Sequence, residues 1–197
     1  MLYLIIIFIS ILITAGANLL FSLPVTPEKV GAVFFATALG ALAVFVLDAI
    51  SALAIRRLTP KKLYLPSKKI FKVSKRERNF YRAIKIKAWK DHVPELGGFT
   101  SFHKDKLESN SNVEYLERFI IEANYGVVIH LSNALLGFLI LFIPFCSSPT
   151  IWIPIFVVNF VLSILPVFIL RYTLYTLQNL YSRTQKGNAV NKKSVAN

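Results

Sequence analysis

The chain has 197 residues, 55% of them hydrophobic and only 17% charged, with a mean hydropathy of +0.56 and a formal net charge of +13. So few polar groups cannot cover a soluble globule of this size, which excludes an ordinary soluble domain. The cations gather in the middle and at the end instead of being spread among soluble elements, which excludes a nucleic-acid-binding domain. The single Cys146 excludes an intrachain disulfide and a cysteine-rich metal site.

Four runs are long and apolar enough for a hydrocarbon core that takes roughly 20 helical residues. They extend from Leu2 to Leu23, Val30 to Ile55, Tyr125 to Phe145 and Ile151 to Leu170. Pro24 and Pro27 separate the first two, and Pro144 and Pro149 the last two, so the runs read as two helical hairpins. The fold class is therefore an all-α integral membrane protein with four transmembrane helices. Its parts are a first hairpin over 1–55, a basic segment over 56–124, a second hairpin over 125–170 and a basic tail over 171–197. Between Arg56 and Asp91 the cations face only Glu77 and Asp91, and Arg171, Arg183, Lys186, Lys192 and Lys193 of the tail meet no acid. Positive residues stay inside, so the basic segment and both termini are expected to be cytoplasmic on a multi-pass protein of the cell membrane. Ala15-Gly16-Ala17 resembles a leader-cleavage site, but the positively charged start of a leader is missing, so the first run is read as a span. From Gly187 onward the sequence reads as a disordered polar end.

Within the basic segment, Phe80, Tyr81, Ile84, Ala88 and Trp89 recur near helical spacing between Phe71 and Trp89. That pattern predicts one amphipathic interfacial helix, its apolar face in the headgroup layer and its Lys and Arg face toward anionic membrane lipids. Some of these cations are also candidates to hold an anionic substrate group. Beyond Trp89, Lys90-Asp91-His92-Val93-Pro94 leads to Gly97-Gly98, which has no strand before it and no GK[ST] after it and so reads as a turn.

Ionisable groups inside a bilayer are costly and are functional candidates by default. Glu122 and His130 stand at the mouth of the third run, eight residues apart, which on an α-helix means about 12 Å along the axis and about 80° around it. Asn133 falls on the same side, and Asn159 and Ser163 of the fourth run are positioned to meet this polar stripe. An imidazole there suits a general base for a hydroxyl, and a nearby carboxylate suits its orientation. Asp48, in the second run, either completes the site or reaches out to Arg56 or Arg57. His103 and Glu108 form an H-x4-E spacing easily met by chance in a charged loop. With His92, His103 and His130 scattered, no metal site is expected.

Phe80-Tyr81, then Ile84-Lys85-Ile86-Lys87-Ala88-Trp89-Lys90-Asp91 with Pro94, then Glu122 and His130, then Arg171-Tyr172, together resemble the glycosyl-4,4'-diaponeurosporenoate acyltransferases, small bacterial membrane enzymes of the staphyloxanthin type of carotenoid pathway. The likeness runs from Phe71 to Leu180, and its most specific parts are the K-x-W-K-D segment and the E-x7-H pair. Where the family carries an Arg and a second Glu between Glu and His, this chain has Tyr125 and Val127. The resemblance implies transfer of a fatty acyl group from acyl-CoA or an acyl carrier protein to a sugar hydroxyl of a glycosylated lipid, with no further cofactor. It implies His130 and Glu122 as catalytic residues, and Trp89, Lys90, Asp91, Arg171 and Asn133 at the substrates, with Lys90 and Arg171 on the donor phosphates or the thioester oxygen. Two other readings remain at this point. A lipid methyltransferase needs a cofactor pocket built from carboxylates, and none follows Glu122. A non-catalytic membrane subunit that binds anionic lipid needs only the basic segment.

Overall fold

A computed structural model describes residues 2–21, 26–93 and 113–195, so His103 and Glu108 lie outside the described residues. All regular elements among them are helical: α1 (Leu2–Phe21), α2 (Pro27–Leu58), α3 (Lys75–Ala83), α4 (Ile86–Trp89), α5 (Val113–Leu136) and α6 (Pro149–Val195), with short 3-10 turns between them. Three helical stretches, Pro27–Leu58, Val113–Phe142 and Pro149–Ala189, are long and apolar enough to cross a membrane. The apolar helix at Leu4–Leu20 is shorter. The chain divides into two compact units, and α2, α5 and α6 contribute residues to both.

The first unit comprises residues 1–55 and 129–165. Its core packs Ala36 and Val44 of α2 against Ile140, Cys146, Ile151 and Ile155. Small residues allow this close approach: a Cβ on Gly40 would come within 2.9 Å of Ile140 Cδ1 and 3.0 Å of both Cys146 Sγ and Ile155 Cδ1. Asn18 of α1 donates to the Thr150 carbonyl at 2.8 Å, fastening α1 to the start of α6. Phe8, Ile13, Phe35 and Leu135 are largely exposed, as suits side chains whose solvent is lipid.

The second unit comprises residues 56–128 and 166–197. Here two sequence expectations are corrected. The stretch from Phe71 to Trp89 is not one interfacial helix: Lys85 adopts a left-handed conformation (φ 53°, ψ 42°) that ends α3 and starts α4. The break lets Tyr81 and Ile86 bury together against Ile169, with Phe168, Trp89 and Tyr172 around them, so much of the apolar face meets protein. Nor does the chain become irregular after Gly187, because α6 continues to Val195. Leu174 and Leu177, buried on the preceding turns of α6, give the polar tail a helix to extend. The helix bearing Glu122 begins at Val113, twelve residues before the apolar run at Tyr125, because Leu116, Phe119 and Ile120 already form a buried face.

Candidate active site

In the first unit the polar residues of three helices form one network. The Ser51 hydroxyl donates to Asn133 Oδ1, and it also lies 3.1 Å from the Asp48 carbonyl. Asn159 Nδ2 donates to the Asn133 carbonyl at 2.9 Å. Ser51, Asn133 and Asn159 are all buried, and so is Ser163 one turn beyond Asn159. This contact requires Gly137: a Cβ there would collide with the Asn159 amide, and α5 gives way to a 3-10 turn over Gly137–Phe142 at the same point. His130 is half-buried one turn before Asn133 on α5, so the two share a helix face. The expectation that Asn159 meets the stripe carrying His130 and Asn133 is met at Asn133.

Asp48 belongs to the same unit. Its Oδ1 is buried without a hydrogen-bond partner, on the wall of a cavity of about 40 Å³. Ser10, Thr14 and Asn159 supply the other polar lining of a space otherwise walled by apolar residues such as Ile7, Val44 and Ile155. A cavity of that size holds two or three small polar atoms or waters.

In the second unit, Glu122 accepts from Arg56 Nη1 at 3.0 Å, and the Arg56 guanidinium lies 5.8 Å from the Tyr125 ring centroid. Tyr125 stacks on Tyr64 at 3.8 Å and donates to the Thr59 carbonyl at 2.9 Å, while Asn124 donates to the Tyr64 carbonyl at 2.8 Å. Tyr125 therefore packs the segment after α2 onto α5.

Arg171 is the centre of a second cluster. Its Nε and Nη2 donate to the two oxygens of Glu77, each at 2.7 Å, and its Nη1 donates to the Phe71 carbonyl at 3.1 Å. Such a two-pronged carboxylate contact is among the strongest a side chain makes. Tyr81 adds a hydrogen bond to Glu77 at 2.8 Å. Burial alone would raise the Glu77 carboxyl, but the hydrogen bonds from Arg171 and Tyr81, the Arg171 charge and the Ser74 backbone N–H outweigh it and hold the group below its ordinary range. Burial first, and then the bond to Glu77, push the Tyr81 phenol upward. All three Arg171 nitrogens thus act on protein acceptors, which makes the residue a clamp between α3 and α6 and leaves it a poor holder of donor phosphates. Trp89 Nε1 donates to the Ile84 carbonyl at 3.0 Å across the break at Lys85, and the more exposed Lys90 pairs with Asp91 at 2.6 Å.

Glu77 and Gln178 were not singled out from sequence. A signal for Glu77 exists, because Ser74-x-x-Glu77 is a capping box, and Ser74 Oγ accepts from the Glu77 backbone N–H at 3.1 Å. Among the described residues no group of three His, Cys, Asp or Glu side chains comes together in a way that could hold a metal.

A sequence model of the glycosyl-4,4'-diaponeurosporenoate acyltransferase family matches residues 60–183, which takes in the Arg171 clamp, Glu122, His130 and the Asn133–Asn159 contact. No curated protein and no solved structure matches the chain. With the match extending over more than half of its length, the protein belongs to the glycosyl-4,4'-diaponeurosporenoate acyltransferase family, a family of acyltransferases in the carotenoid pathway.

Proposed function

We propose that this protein is a membrane O-acyltransferase that moves a fatty acyl group from a thioester donor to a sugar hydroxyl of a glycosylated lipid, a glycosyl carotenoid on the family's pattern, with His130 as general base. The observation that carries the reading is the buried Ser51–Asn133–Asn159 network in an otherwise apolar unit, one helical turn from His130. Polar groups in such surroundings are retained at a cost, and they suit a hydroxyl-bearing acceptor that partitions from the lipid. The imidazole takes the hydroxyl proton as the sugar oxygen attacks the thioester carbonyl carbon. The carbon–sulfur bond then breaks, and the imidazolium returns the proton to the departing thiolate. Asn133 orients the acceptor. Glu122 acts through its pair with Arg56, and Trp89, Lys90 and Asp91 contribute to donor recognition. Arg171 positions α3 and α4 through Glu77. The topology we assign has four spans, with α1 crossing as well, and both termini on the side of the basic segment, in a membrane whose anionic lipids that segment engages.

Acyl transfer from labelled acyl-CoA to glycosylated lipid, assayed in membranes carrying the wild type or His130→Ala, tests this. The variant is expected to lose roughly 10²–10⁴-fold in rate. A folded variant with undiminished transfer removes His130 from the mechanism. Absence of transfer by the wild type with either CoA or carrier-protein donors favours the non-catalytic lipid-binding reading, for which the engagement of Glu122 by Arg56 and of Arg171 by Glu77 already gives those charges a structural use.

A further inference from the structure

A cleft of about 550 Å³ lies within the second unit, between the segment that follows α2 and the far part of α6. Lys68, Lys69 and Lys72 line one side, and Gln178, Tyr181 and Gln185 the other. The three lysines come together because of a 3-10 turn at Lys69–Phe71, in which the Lys72 N–H bonds the Lys69 carbonyl at 3.1 Å. That turn is fixed from α6. The Gln178 amide donates to the Phe71 carbonyl at 2.9 Å and accepts from the Val73 N–H at 3.1 Å, so the residues on both sides of Lys72 are held by one side chain. The opposite wall is organised too: Gln185 donates to the Tyr181 hydroxyl, and Tyr181 donates to Glu117 Oε2, both at 3.1 Å.

Among the described residues Glu117 is the single acid in the lining, and the Tyr181 hydroxyl already occupies one of its oxygens. Among the described residues no carboxylate lies within ion-pair distance of Lys68, Lys69 or Lys72. Three ammonium groups on a fixed turn, facing hydroxyl and amide groups across a concave space, match a ligand that carries several negative charges. The volume is that of a small-molecule site and much exceeds a lone phosphate. A concave cleft also suits a compact polyphosphate better than the convex surface of an acidic protein.

We propose that this cleft binds the phosphate-ester head of a nucleotide-sized ligand. On the acyltransferase reading above, on which this part rests, that head belongs to a coenzyme A thioester, so the donor is the CoA ester and not the carrier protein.

Binding of CoA to the full chain in neutral phosphatidylcholine nanodiscs tests the proposal. The comparison is between the wild type, the triple variant Lys68→Gln, Lys69→Gln, Lys72→Gln, and a control of equal charge loss, Lys61→Gln, Lys62→Gln, Lys75→Gln. Loss of three charge-assisted contacts should raise the Kd of the cleft variant roughly tenfold or more, with the control changing less than about twofold. Pantetheine, which lacks the phosphates, should bind none of the three, and pantetheine binding as tight as that of CoA overturns the proposal. Ser182→Trp, which fills the cleft from an exposed position on α6, should also abolish CoA binding and guards against misfolding of the triple variant. Equal weakening in the cleft and control variants overturns the proposal, as does no CoA binding by the wild type. Cleft-dependent binding seen only with phosphatidylglycerol vesicles assigns the phosphate to a lipid headgroup, and seen only with acyl carrier protein assigns it to a protein; either result overturns the CoA assignment. CoA held in the cleft by a protein without transferase activity leaves the site standing and removes the function. Transfer with a CoA affinity indifferent to the cleft does the reverse.

Discussion

Arg171 joins two parts of the sequence 94 residues apart through a pair whose side chains are only 15% and 25% exposed. A pair at that depth lies between the weak surface bridge and the fully buried one, so Arg171→Ala should cost about 2–4 kcal/mol by leaving the Glu77 carboxylate without its cation. Arg171→Lys should recover only part of this, because an ammonium cannot reproduce the fork. Glu77→Gln added to Arg171→Ala should cost less than the sum of the two single changes, which unfolding midpoints in detergent will show. A pH dependence follows from the depressed Glu77 carboxyl. The folded group ionises at lower pH than the unfolded one, so its contribution is fully present above the ordinary carboxylate value of 4.5 and is lost as pH falls through the lower folded value. The wild type should therefore lose stability below pH 4.5 more steeply than Glu77→Gln, and parallel curves would refute the assignment.

Two glycines on neighbouring helical stretches make opposite demands on the elements that carry them. At Gly137 an added methyl meets the Asn159 amide, which is held in place by its bond to the Asn133 carbonyl; at Gly126 it meets only the tip of the flexible Leu170 side chain, at 2.8 Å. Gly137→Ala should therefore cost about 1–3 kcal/mol and lower transferase activity, because the network beside His130 must shift. Gly126→Ala should cost less, since Leu170 can change rotamer, and thermal melts of the two variants give the order directly. Equal melting temperatures would mean that Asn159 is free to move. The element scale is also where sequence and structure part company. The break at Lys85 is invisible in the pattern from Phe71 to Trp89, because a left-handed lysine is imposed by the burial of Tyr81 and Ile86 on either side of it and not by any local preference. The continuation of α6 past Gly187 was equally hidden, since Gly187-Asn188 and the Lys192-Lys193 pair read locally as a polar end. In contrast, the polar residues near His130 were legible: Asn133 and Asn159 stand out against apolar surroundings, and helical spacing puts Asn133 on the side of His130, where a polar residue of the next apolar run can meet it. The clamp was not, because nothing local in Arg171-Tyr172 points to an acid in the basic segment.

At the scale of the molecule, helix length and the distribution of charge bear on how the chain crosses a membrane. The 47 residues of α6 extend roughly 70 Å, more than twice a hydrocarbon core of about 30 Å, so much of the helix must lie outside the core. Its apolar run ends at Arg171, which places the clamp and the lysine cleft on the same polar portion of the chain as the other cations. The helix that leaves the count open is α1, whose apolar stretch Leu4–Leu20 extends only about 25 Å and must thin the bilayer slightly, or lean on α6 through Asn18, in order to cross. The proposed four-span arrangement makes a definite labelling pattern in intact cells, using single cysteines in a Cys146→Ser background and a maleimide that cannot cross membranes. Thr26→Cys and Ser148→Cys should react from outside, whereas Ser67→Cys and Ser182→Cys should react only after permeabilisation. Leu2→Cys decides the remaining span: protection until permeabilisation means that α1 crosses and both termini share the basic side, and reaction in intact cells means that three helices cross and the amino terminus lies outside.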